Sequence, residues 1–192
     1  MEITRCLREE HDLILRVLDA LESTLRETDG SARVFPGVFQ PFLAFFEGFI
    51  EQCHHAKEEA ALFPAIERSG IPTEGGPIGA MLHEHRLAGE YIRTIADKLD
   101  RAERGDAEAA ELVLKTFHEL LDLLRRHIDK DSHCVLGMAE RVVSGTEREA
   151  VLRGYHEVEA DSHYQETACR CRRLADELIA AHTQRSSSTS ST

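Results

Sequence analysis

Residues 53–64 read Cys53-His54-His55-Ala56-Lys57-Glu58-Glu59-Ala60-Ala61-Leu62-Phe63-Pro64 and set a histidine and a carboxylate one helical turn apart on an apolar stripe. At a helical period, Phe46, Ile50, His54, Glu58, Leu62 and Ile66 share one face, so His54 and Glu58 point toward the core. An ionised carboxylate buried there costs several kcal/mol, about what an ion pair or a metal must offset.

The pattern returns in His127-Ile128-Asp129-Lys130-Asp131-Ser132-His133-Cys134-Val135-Leu136, where His127 and Asp131 are again four apart and Val135 stands where Leu62 stood. Two Glu-His pairs, Glu10-His11 and Glu84-His85, complete it. His11 shares a stripe with Leu7, Ile14, Leu15, Leu18 and Leu25; His85 shares one with Ile78, Met81, Leu82, Ala88, Ile92 and Leu99. His11 to His85 is a step of 74 residues and His54 to His127 a step of 73, which makes an internal repeat. Two helix hairpins, each giving a lone histidine and then a His-x-x-x-carboxylate, predict an all-α, up-down-up-down four-helix bundle with additional C-terminal helices.

The predicted helices run from about Thr4, as N-cap, to Glu27 with an exit turn at Thr28-Asp29-Gly30-Ser31; from Pro41 to Arg68, kinked at Pro64; from Pro77 to Glu103; and from Ala107 to Val143. One or two shorter helices follow between Glu147 and His182. The expected organisation is a bundle over 1–143, a helical extension packing on it over 144–183, and a disordered Ser/Thr-rich tail over 184–192.

A net charge of −12 argues against nucleic acid and against an anionic membrane surface as partners. With no apolar run of transmembrane length and no signal-peptide core in the first residues, a cytoplasmic protein is expected, monomer or homodimer. Five cysteines without framework spacing fit reduced thiols. Cys169 and Cys171 point about 200° apart on a helix and make a poor ligand pair. Cys53 reads as a packed thiol, or as an oxidisable one beside a redox metal. His83, His118 and His133 fall on polar faces, and His156, His163 and His182 lack a four-spaced carboxylate set. Histidine nitrogens with bridging carboxylates suit a redox-capable metal such as iron or manganese, and symmetric pairs of such sets suit two ions.

These spaced motifs, over residues 4 to 140, resemble a hemerythrin-like, or HHE cation-binding, domain. The resemblance implies two non-haem Fe ions, oxo- or hydroxo-bridged, with Mn or Zn as substitutes. Its implied ligands are His11, His54, Glu58, His85, His127 and Asp131, with Glu58 and Asp131 bridging. Oxygen-carrying hemerythrins take two histidines one turn apart from the third helix; here Met81 and Gly89 flank His85 instead. His55 is the candidate for that vacancy, as a ligand or as a neighbour of one, much as an iron-sensing F-box relative uses the residue after its helix-B histidine. The implied function is binding of, or reaction with, O2, nitric oxide or peroxide, for sensing, storage or detoxification. The alternatives are a di-iron oxidase or peroxidase, favoured by a tyrosine (Tyr91, Tyr155 or Tyr164) or Cys53 near the metals, an iron-delivery protein for cluster repair, and a C-terminal module reporting the metal state to a partner.

Overall fold

In the computed structural model, residues 2–29 and 33–189 are described, and all regular structure among them is helical. Helix α1 is Arg5–Asp29. Helix α2 covers 40–68: α-helical at Gln40–Phe45, wide-turned π-helix at Phe46–His55 and Glu58–Leu62, and α-helical again at Phe63–Arg68. Helix α3 is Pro77–Glu103. Helix α4 covers 107–142: α over Ala107–Lys130, π over Asp131–Val135, α over Leu136–Val142. Helices α5, Gly145–Ala160, and α6, Ser162–Thr189, follow. No described helix is long and apolar enough to cross a membrane.

Local chemistry accounts for the boundaries. Asp106 caps α4 by accepting from the Ala109 amide at 3.1 Å, and Gly105, at a φ of 93°, makes the turn from α3 that a side chain would resist. Thr4 stands immediately before the helix, as expected of its cap, its carbonyl accepting from the Arg8 amide at 3.0 Å. Its amide and hydroxyl both donate to Glu140 Oε1 at 3.0 Å, tying the start of α1 to α4. Pro64 does not interrupt α2: the Phe63 amide reaches back to the Glu58 carbonyl, and the wide turn it closes precedes the proline, which opens the next α segment. Asp131 repeats the device, its carbonyl accepting from the Leu136 amide. Gly30 and Ser31 of the exit turn lie outside the described residues. Helix α6 runs to Thr189, past Gln184 where a tail is expected, with no glycine or proline to stop it; residues 190–192 lie outside the description.

The apolar core has two parts. The larger holds Ile14, Leu18, Phe46, Ile50, Ile92 and Leu124, with the phenylalanines of α2; the smaller holds Leu7, Leu62, Ile66, Met81, Val135 and Tyr155. Helix α3 packs along α4, α6 lies against α1 and residues 46–55, and α5 lies against residues 58–68. Between the two apolar clusters sits a layer of buried polar side chains.

Candidate metal centre

That layer contains His11, His54, His55, Glu58, His85, His127 and Asp131, each 6% exposed or less. All seven candidate ligands of the sequence are brought together. Ring nitrogens of His55, His85 and His127 lie within 4.8 Å of one another, and a second group joins His11, His54 and Glu58 at the same spacing. Glu58 lies between the groups, Oε1 3.8 Å from His54 Nε2 and Oε2 3.2 Å from His85 Nε2. Asp131 Oδ2 is 3.5 Å from His11 Nε2.

Four of the histidines turn Nδ1 outward to a fixed partner. His54 Nδ1 donates to Glu10 Oε2 at 3.0 Å, His127 Nδ1 to Glu84 Oε2 at 3.1 Å and His85 Nδ1 to Glu59 Oε1 at 2.7 Å; His11 Nδ1 lies 2.8 Å from Ser132 Oγ. These partners fix the ring orientation and leave Nε2 facing inward. They follow the repeat: Glu10 also pairs with Lys57 and Glu84 with Lys130, while Glu59 and Ser132 each follow the carboxylate of one repeat and serve the lone histidine of the other. The reading of the sequence missed these six positions other than as neighbours in the quoted motifs. Their signal was present in the Glu-His doublets and in His-x-x-Lys, which occurs at His54/Lys57 and His127/Lys130.

His55 breaks the symmetry, because its counterpart is Ile128. It stacks on His85 with ring centroids 3.6 Å apart, giving one half of the layer three imidazoles and the other two. Adjacent residues on an α-helix point roughly 100° apart. The wide turn of Phe46–His55 reduces that angle, so both His54 and His55 reach the layer.

The electrostatics follow from burial and carboxylate placement. Burial, then the neighbouring His54 charge, push His11 down to about 3, and burial with His85 pushes His55 well below its usual range. Burial also opposes charge on His85, but Glu58 and Glu59 outweigh it and hold its pKa at about 9. Burial and the charge of Glu58 raise Asp131, whereas Glu58, despite burial, is lowered by His54 and His85.

Both oxygens of Glu58, both of Asp131, and Nε2 of His85 and of His127 are buried without a hydrogen-bond partner. His11 Nε2 and His54 Nε2 face each other at 3.0 Å, where two lone pairs repel unless a proton or cation lies at them. Six buried orphan atoms of this kind, all of types that bind metals, converge on one layer and fit cations.

A surface cavity of about 310 Å³ between α2 and α3 reaches His55 and His85, past Glu51, Glu59 and Arg93. A larger depression, about 570 Å³, is lined only by residues between 163 and 173, none of them a member of the layer. The remaining histidines stay outside: His83, His133, His156 and His163 are exposed, and His118 and His182 half-buried. Cys169 is exposed and Cys171 buried, on different sides of α6. Cys53 is fully buried, its thiol pushed up to about 12 by burial and by Cys171, which fits a packed, unreactive group.

No curated protein and no solved structure matches the chain significantly. The family model of the hemerythrin HHE cation-binding domain matches residues 2–139, which hold every member of the polar layer, and the chain belongs to that family.

Proposed function

We propose that this is a non-haem di-iron protein that binds or reacts with O2 or a related small oxidant, nitric oxide or peroxide, on an up-down-up-down four-helix scaffold. His11 and His54 would hold one ion, His55, His85 and His127 the other, with Glu58 and Asp131 shared. The observation that carries the reading is the set of partnerless carboxylate oxygens and Nε2 atoms gathered in one buried layer. When bound, the iron pair would supply a redox-active Lewis acid.

The chain's own residues do the rest. Glu10, Glu84 and Glu59 accept the Nδ1 protons and so turn each Nε2 inward, where a cation would take the place of any Nε2 proton. Apolar residues one turn away, Leu7, Leu62, Met81 and Val135, close one side of the layer, and Ile14, Ile50 and Ile128 belong to the cluster on the other. That packing closes two sides of the layer and leaves the cavity at His55 and His85 as the approach from outside, which favours a small ligand. The two-histidine half has one nitrogen fewer than its neighbour, and this imbalance supports a free position there.

The test is metal analysis with optical spectra, anaerobically after reduction and again after air. Two irons per chain and an oxygen-dependent near-ultraviolet band are expected. A chelator should lower the melting temperature by roughly 10 °C, from about 4 kcal/mol of binding linkage at a thousandfold excess over Kd. Absence of stoichiometric iron after reconstitution sinks the proposal.

A further inference from the structure

Tyr155 lies on α5, outside the residues matched to the family, yet it is 4% exposed and its hydroxyl has no hydrogen-bond partner. A phenylalanine would fill the same apolar space without stranding an O–H. Backbone packing accounts for its position. Gly154 approaches α2 so closely that a Cβ there would stand 2.7 Å from Ala61 Cβ, and Ala61 is three residues beyond Glu58. The glycine therefore lets α5 seat against the wide turn that carries Glu58, and the next residue, Tyr155, joins the cluster of Leu7, Leu62, Met81 and Val135. Each of those four is one turn from a proposed ligand: His11, Glu58, His85 and Asp131.

Of the carboxylates around the phenol, Glu10 holds His54 of the two-histidine half, while Glu58 and Asp131 lie between the halves. Burial first, then Cys6, Glu58, Glu10 and Asp131, push its ionisation far above the usual range, so the group keeps its proton and has it to donate in a hydrogen bond. Asp131 is 3.5 Å from His11. A buried, partnerless hydroxyl in the apolar cluster that closes one side of the polar layer is a donor waiting for an acceptor.

We propose that Tyr155 Oη–H donates a hydrogen bond to the small ligand taken up by the His11/His54 half, so that the C-terminal helix α5 completes a ligand site the matched domain leaves unfinished. The ligand class is a two- or three-atom molecule with an exposed lone pair, oxidant or anion. The inference rests on the di-iron reading above. Tyr155 acts as a positioning and specificity residue, with no bond made or broken at its ring.

The experiment titrates azide, a three-atom lone-pair probe, into iron-loaded wild type and Tyr155→Phe, reading the absorption change and the azide infrared stretch in H2O and D2O. The melting temperature of each metal-free protein is measured alongside. Expected are equal iron content, an azide Kd raised roughly three- to tenfold in the variant, as one hydrogen bond warrants, and a deuterium-sensitive stretch only in wild type. The metal-free variant should melt no lower than wild type, since it loses a stranded hydroxyl. Unchanged azide affinity and stretch in an iron-loaded variant overturn this inference alone, as does a metal-free variant that melts lower, the mark of a structural hydroxyl. A wild type that takes up no iron overturns the di-iron reading and this inference with it.

Discussion

Glu10 gives its carboxylate to His54 on the neighbouring helix, Oε2 3.0 Å from Nδ1, and not to His11 beside it in the chain. Its other oxygen takes Lys57, a lysine 1% exposed. The same arrangement at Glu84, His127 and Lys130 is looser, because Lys130 is 46% exposed. Equivalent positions of the repeat thus carry different energetic weight.

Removing these carboxylates separates the two roles. Glu10→Ala and Glu84→Ala are each expected to weaken iron binding about 10- to 100-fold, measured by chelator competition. Only Glu10→Ala strands a buried ammonium, with Glu159 3.5 Å away as partial compensation. It should cost about 3–5 kcal/mol in denaturant unfolding of the metal-free protein, against under about 1 kcal/mol for loss of the exposed Glu84/Lys130 pair.

His55 is the position where the two halves differ. His55→Ile, which installs the residue its counterpart Ile128 carries, should lower bound iron from two toward one per chain. The fold should persist, because an apolar side chain suits that buried site. Two tightly bound irons in this variant would assign His55 to a supporting position beside the metals.

Gly154→Ala places a methyl 2.7 Å from Ala61 Cβ, and neither side chain has a rotamer with which to yield. The helix-propensity gain of about 0.5–1 kcal/mol is outweighed by overpacking of about 1–3 kcal/mol. A lower denaturation midpoint is expected, together with weaker small-ligand binding as α5 is pushed from α2.

Acid dependence is testable away from the metals at Asp106. The Ala109 amide, then Arg101, hold its carboxyl below its ordinary 3.8 in the folded chain. A lowered folded pKa gives stabilisation that is complete above about 3.8 and is lost as pH falls through the folded value. Asp106→Ala should therefore melt below wild type at neutral pH, with the gap closing below about pH 4.

The sequence by itself determined the helical class, the internal repeat and the seven polar residues that meet in one layer. A histidine four residues from a carboxylate on an apolar stripe is a local pattern, fixed by helix geometry before any helix packs. Its limit was the assumed period. Read at 3.6 residues per turn, His55 falls between two roles and Pro64 marks a kink, whereas the π turns bring His55 inward and precede the proline. The pairing of Glu10 with His54 instead of His11, the crossing of Ser132 to His11 and Glu59 to His85, and the insertion of Tyr155 from beyond the repeat were decided only by tertiary structure. Those contacts join residues 26 to 121 positions apart, and their partners are set by which helix faces which.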